Sequence, residues 1–146
     1  LRKSVKTKKT APFIEDVCVL PEYLPEVLPK IIDILNEHGI NVNIAGHAGS
    51  GNLHIIPLMD LSDPKEREKI IAVSDKVYEL IIKYKGTITA EHNDGIIRTP
   101  YIVDMFGIPV YQIFQKVKNI FDPENIFNPG KKVGGTKEYI KDHIVG

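Results

Sequence analysis

Three of the five histidines in this 146-residue chain, His47, His54 and His92, fall in two polar, glycine-containing junctions. The first runs Gly46-His47-Ala48-Gly49-Ser50-Gly51-Asn52-Leu53-His54, and the second Ala90-Glu91-His92-Asn93-Asp94-Gly95. Neutral imidazole is both a ligand for transition metals and a proton acceptor near neutral pH. Two His and one carboxylate, with a coordination position left open, suit catalytic Zn, Mn or Fe. Should the first junction be the turn of a hairpin, its stems would bring His47 and His54 together as half of such a site. Glu91 then completes the set, and His92, which cannot share a strand face with its neighbour, is left as a general base.

A lone His in a glycine-rich turn is ordinarily a surface polar group, so it is the clustering with Glu91 that points to a metal or substrate. A phosphate cradle fits GHAGSG poorly, because the string lacks the P-loop Lys and does not lead from a strand into a helix. Asp94-Gly95 reads as a turn pair, Arg98 as a solvated side chain, and Asn93 suits a positive φ.

The elements that must position these residues follow from period and punctuation. Ala11 to Leu20 alternates as a strand, with Phe13, Val17 and Val19 on one parity and Asp16 on the other. Pro21 to His38 places Leu24, Val27, Leu28, Ile31 and Leu35 at helical spacing, with Pro25 in the first turn and Gly39 as the stop. Ile40 to Ala45 and Leu53 to Leu58 read as hairpin partners across the first junction. Asp63, Pro64 and Glu66 form a capping-box start for a second helix whose apolar face is Ile70, Val73, Val77, Leu80, Ile81 and Tyr84. Thr87 to Ala90 is a fourth, β-branched strand.

This order, strand-helix-strand-strand-helix-strand, predicts an α+β fold of the ferredoxin-like βαββαβ type, an antiparallel sheet with helices on one face. A fourth strand antiparallel to the third would end where the third begins and deliver Glu91 and His92 to the histidine pair. Beyond it the spacing predicts an irregular stretch and a helical extension from Tyr101 to Phe121, interrupted near Gly107 and Pro109. A cap at Asp122 and Pro123 then leads into a tail with too little apolar material for a domain. The expected division is 1–10 as a basic segment of a truncated longer chain, 11–92 as the ferredoxin-like substrate and metal domain, 93–121 as motif loop and helical extension, and 122–146 as a tail.

Composition narrows the function classes. Nineteen Lys and Arg balance nineteen Asp and Glu, which removes the basic footprint of a nucleic-acid binder. The sheet strands do not offer the basic, aromatic face of an RNA-binding relative of this topology. Arg2, Lys3, Lys6, Lys8 and Lys9 form the one charge-biased run, read as a solvated end. With 42% hydrophobic residues the chain can bury a core, and no apolar run approaches the roughly 20 residues of a membrane span. Cys18 is the only cysteine, so no internal disulfide forms and a reducing, cytoplasmic compartment is expected. The chain opens on Leu1 rather than Met, as expected of a piece of a longer protein.

The strings GHAGSGNLHI, TAEHNDGIIRTPY and KNIFDPENIFNPGKKVG together resemble the C-terminal domain of FAD-linked oxidases of the vanillyl-alcohol-oxidase type. They are most similar to the group of D-lactate dehydrogenase, the glycolate oxidase subunit and D-2-hydroxyglutarate dehydrogenase. The likeness runs from about Phe13 to Val133. It implies an oxidoreductase in which an N-terminal domain, absent here, carries the flavin and this domain holds a small 2-hydroxy acid. It further implies that His47, His54 and Glu91 are metal ligands, that Asn52 touches substrate, and that His92 removes the substrate hydroxyl proton. Arg2 resembles the family's basic residue before the first strand, implying a partner for the substrate carboxylate.

The closing stretch Asn128 to Lys131 is similar to the family segment that returns to the flavin domain, and electron-transfer partners at a membrane surface are implied as well. Two positions depart from the pattern. Ser50 stands where Asp is usual and Asn93 where Gly is frequent, which removes a carboxylate that could orient a ligand His; Arg98 replaces lost binding charge. On this reading the chain alone has no turnover. The competing reading is a non-catalytic ferredoxin-like module that binds a metal or small anion.

Overall fold

A computed structural model describes residues 8–144. Arg2, Lys3 and Lys6 of the basic run lie outside the described residues. The chain forms two compact units, the first reaching to Glu91 and including Ile144, the second His92–His143.

The first unit is an antiparallel sheet with two helices. Its strands are β1 (Lys9–Thr10), β2 (Asp16–Cys18), β3 (Asn41–His47) and β4 (Asn52–Met59). β4 is central. It pairs with β3 along one edge, from Asn41↔Leu58 to His47↔Asn52, and with β1 and β2 along the other. The helices are α1 (Leu24–Glu37), entered through a 3-10 turn at Pro21–Tyr23, and α2 (Pro64–Lys83). Along β4, Leu53, Ile55, Pro57 and Met59 are buried, while His54, Ile56 and Leu58 are half-buried. Val27, Ile31 and Leu35 of α1 and Ile70, Val73, Val77 and Ile81 of α2 complete the core. Each fully buried aliphatic side chain contributes about 1.5–3 kcal/mol. The Tyr78 hydroxyl, inside that core, donates to the Phe13 carbonyl at 2.5 Å.

The hairpin and both helices lie where the periodicity places them. At the start of α2, the Asp63 side chain accepts from the Lys65 N–H at 2.9 Å. Glu66, expected to complete a capping box, pairs instead with Lys69. α1 also continues through Pro29, one turn beyond the Pro25 that its first turn tolerates.

The outer strands differ from expectation. The first is not continuous. Thr10 pairs with Leu58 and Asp16 with His54, so this side carries two more residues than β4 does over the same span. Pro12 has no N–H for the ladder, and Phe13 and Ile14 are both buried although neighbours on a regular strand face opposite ways. A bulge resolves the conflict.

The fourth strand is reduced to one bridge, Cys18↔Thr87. After it, the Ala90 and Glu91 N–H groups donate to the Asp16 carboxylate at 2.8 and 2.9 Å, so a side chain takes the place of a ladder. Its direction also corrects the expectation. Because it is antiparallel to β2, which is itself antiparallel to β4, it runs the same way as β4. The spatial order, Thr87 beside β2, then β4, then β3, is that of a ferredoxin-like sheet.

The second unit holds α3 (Gly95–Arg98), a 3-10 turn at Thr99–Tyr101, α4 (Ile102–Phe121) and α5 (Lys137–His143). α4 is two helical runs joined at Gly107, whose φ of 77° and ψ of 161° break it where Gly107 and Pro109 predict. Asp122 does not start another helix; its carboxylate accepts from the Ile126 and Phe127 N–H groups at 2.8 and 2.9 Å. The short α5 in the tail was not expected. Thr136 caps it through a 3.1 Å bond from the Tyr139 N–H, and Ile140 is buried. α4 leaves Ile108, Ile113, Val117, Ile120 and Phe121 exposed, Phe121 at 81%. No helix among the described residues is long and apolar enough to cross a membrane.

Candidate metal centre

His47 and His54 reach the same face of the sheet by strand pairing. His47 lies opposite Asn52 and Ala45 opposite His54, so both rings project from the face away from the buried residues of β4. The rings meet edge to face, with centroids 5.4 Å apart and an interplanar angle of 88°. The turn between them is a 3-10 segment, Ala48–Ser50, closed by Gly51 at a φ of 77°. A Cβ on Gly51 would stand 1.7 Å from the Val19 carbonyl oxygen, so glycine there is a packing requirement as well as a backbone one.

Glu91 arrives from the short fourth segment. Thr87 is level with Cys18 and therefore with Asn52, and Ala90 is level with Asp16 and therefore with His54. Because the segment leaves the sheet after so few residues, its end is still beside His54. Glu91 Oε1 lies 3.0 Å from His54 Nε2 and 3.4 Å from His47 Nε2. The three donor atoms are mutually within 4.8 Å. Ligands held near 2.0–2.1 Å by a tetrahedral ion stand about 3.3 Å from one another, and both Glu91 contacts fall near that spacing. Exposure is graded across it. The His54 side chain is 16% exposed, Glu91 45% and His47 64%, which leaves the outer side of the cluster open to solvent.

Two acidic residues that the sequence reading passed over support the centre. Asp16 is fully buried, and its carboxylate takes the Asn52 side-chain amide at 3.1 Å as well as the N–H groups of Ala90 and Glu91. It thereby fixes the backbone that carries Glu91. Asn52, 5% exposed, is committed to Asp16. Glu15 Oε1 lies 3.0 Å from His54 Nδ1, the ring nitrogen opposite the one facing Glu91. The signal for both was an acid pair set between the apolar runs Phe13-Ile14 and Val17 to Leu20. Beside them, burial first and the Asp16 charge second push the Cys18 thiol above its ordinary range.

In the second unit His92 is exposed, and Asn93 has the positive φ its type suits, 66°. Arg98 is not solvated; it is 4% exposed and donates to the Asn93 carbonyl. Lys132 pairs with the buried Asp94, and its N–H donates to the Thr99 hydroxyl at 2.7 Å. His92, Asn93, Gly95, Asn128, Lys131 and Lys132 line an open cleft of about 370 Å³.

The fold and the cluster define a class: an α+β domain presenting two imidazoles and a carboxylate on the open face of an antiparallel sheet. The chain belongs to the family described as FAD linked oxidases, C-terminal domain, whose model matches residues 1–132. It is 38% identical over 123 residues to a D-2-hydroxyglutarate dehydrogenase of Escherichia coli (strain K12), covering 84% of this chain and 12% of that protein. Glycolate oxidase subunit GlcD of Bacillus subtilis is 32% identical, with 84% of this chain and 26% of the relative covered. A D-lactate dehydrogenase of Anaerostipes hadrus is 36% identical over 80% of this chain and 25% of its own length. The chain thus spans between an eighth and about a quarter of the relatives it matches.

Proposed function

We propose that this chain is the substrate- and metal-binding part of an FAD-dependent dehydrogenase that oxidises a small 2-hydroxy acid, of the D-2-hydroxyglutarate, D-lactate or glycolate kind, to the 2-oxo acid. The observation that carries the reading is one carboxylate oxygen, Glu91 Oε1, shared between two imidazole Nε2 atoms at 3.0 and 3.4 Å on an open sheet face. His47, His54 and Glu91 would hold a divalent ion, Zn, Mn or Fe. When bound, the ion supplies Lewis acidity at the substrate oxygens and the flavin accepts the hydride.

The chain's own residues do the rest. His92, exposed and next to a ligand in sequence, takes the hydroxyl proton on its imidazole nitrogen. Arg98 and Arg2 are assigned to the substrate carboxylate. Asn52 is the substrate contact the family likeness suggests, and its bond to Asp16 supports a role in shaping that face. Asn128 and Lys131 are assigned to contact with an FAD-binding domain, and the exposed apolar side of α4 is the kind of surface such a domain would cover. A reducing, cytoplasmic setting, with electron-transfer partners at a membrane surface, completes the proposal.

The test is made on the chain within its full-length, FAD-loaded form, mixed anaerobically with a panel of D-2-hydroxy acids. Flavin bleaching by one of them is expected, slowed by roughly 10²- to 10⁴-fold in His92→Ala. A flavin that stays oxidised against the panel overturns the activity. Metal bound at His47, His54 and Glu91 without turnover would identify the non-catalytic module instead.

A further inference from the structure

His54 stands between two carboxylates, one at each ring nitrogen: Glu91 Oε1 at 3.0 Å from Nε2 and Glu15 Oε1 at 3.0 Å from Nδ1. We propose that Glu15 is a positioning residue for the metal centre: its carboxylate, 3.0 Å from Nδ1 though not in an aligned hydrogen bond, favours the proton of His54 on that nitrogen and leaves the Nε2 lone pair for the ion. This inference rests on the metal-binding reading above and extends it to a residue outside the ligand set.

Three features of the structure carry it. Glu15 is held independently of His54. It follows directly on the bulge formed by Pro12, Phe13 and Ile14, and its carbonyl accepts from the Ile55 N–H at 3.1 Å, so the residue next to His54 in β4 anchors it. The contact is also sheltered. The two side chains are 14% and 16% exposed, against 64% for His47, so solvent and salt screen this pair far less than they screen the outer ligand. Finally, the charge fits. With neutral imidazoles the four groups Glu15, His47, His54 and Glu91 carry two negative charges, the complement of a divalent ion.

A carboxylate on the far nitrogen of a ligand His fixes its tautomer and ring orientation and raises its donor strength; losing such a group typically costs 10- to 100-fold in metal affinity. The centre is therefore asymmetric. His54 is the anchored ligand, and His47 and Glu91 close on the ion from the solvent side.

The test uses Co(II) as the probe, with its visible absorption read at saturation and its affinity measured by titration, on the parent protein, Glu15→Ala, Glu15→Gln and His47→Ala. Glu15→Ala is expected to weaken Co(II) binding by about 10- to 100-fold while leaving the saturated band shape unchanged. Glu15→Gln keeps an acceptor oxygen and should recover part of that loss. It also carries the test if the alanine variant does not fold. Parent-like affinity in the Glu15 variants overturns the proposal. So does a changed band position and intensity in them, which would make Glu15 a ligand rather than its support. If the parent itself takes up no Co(II), or His47→Ala binds it equally well, the metal reading has failed and this inference with it, an outcome distinct from failure of the Glu15 role alone.

Discussion

Replacing Asp16 separates the structural cost of the buried carboxylate from its effect on the centre. Its side chain is fully buried and accepts from Glu91 N–H at 2.9 Å, Ala90 N–H at 2.8 Å and Asn52 Nδ2 at 3.1 Å. Asp16→Ala removes all three acceptor contacts. Ala90 N–H keeps a second acceptor, the Asp16 carbonyl at 3.2 Å, so the uncompensated donors are Glu91 N–H and the Asn52 amide. Each costs about 1–3 kcal/mol when left without a partner away from water, and Glu91 N–H is near enough to solvent to recover part of its share. The expected loss is about 3 kcal/mol.

Asp16→Asn behaves differently. Its oxygen can still serve Glu91 N–H, while its new NH₂ would meet the Asn52 NH₂. The Asn52 Oδ1 atom has no hydrogen-bond partner, so turning that amide over restores a donor-acceptor pair. What remains is the weaker, uncharged acceptor, about 1 kcal/mol. Urea unfolding followed by circular dichroism reads both values, and Co(II) affinity should fall in the same order. Equal urea midpoints for the Ala and Asn variants would refute the reasoning, since they would show that acceptor geometry at this position carries no energy.

Other substitutions probe the surroundings. Gly51→Ala places a Cβ 1.7 Å from the Val19 carbonyl oxygen at a φ of 77°, and it should cost more than about 3 kcal/mol or prevent folding; an unchanged melting temperature would contradict this. The Lys30 ammonium, 2.6 Å from Glu26, and the Tyr84 hydroxyl hold the Glu26 carboxyl below its ordinary range. A lowered carboxyl stabilises the fold above its unfolded pKa and ceases to do so as pH falls through the folded value. Glu26→Gln should therefore melt slightly lower than the parent at neutral pH, with the gap closing below about pH 4.5; a gap constant with pH counts against the pairing. The raised Cys18 thiol should react with iodoacetamide more slowly than a free cysteine at mildly alkaline pH, and an equal rate would contradict the burial argument.

What the sequence disclosed depended on how local each cause is. The hairpin and the long helices follow from short-range period and from Asp63, Gly39 and Gly107. The outer strands do not, because Phe13 and Ile14 bury on consecutive positions and Asp16 reaches across to capture the chain at Ala90, both long-range choices. α3 and α5 are too short to show a period. The meeting of His47 and His54 was visible because hairpin pairing forces the two rings together. Glu91 was included on a premise of strand direction that the register reverses; it still meets His54 because the fourth segment leaves the sheet so early. Position 50, where Ser stands, was the place to look for an orienting carboxylate. Glu15, 3.0 Å from His54 Nδ1, shares the parity of Phe13 and Val17, so regular alternation assigns it to the apolar face and hides it from a reading of the sequence.

The strict alternation along β4 has a consequence for how this domain can change. Residues 53, 55, 57 and 59 answer to the core, and residues 54, 56 and 58 to the open face. A slip of one residue against β2 would bury His54 and expel Ile55, so the packed interior proofreads the position of His54. Because the two demands fall on different residues, exchanges at the half-buried Ile56 and Leu58 leave the packing of residues 53, 55, 57 and 59 in place. The open face beside His54 can thus change its chemistry while the sheet that holds it stays the same.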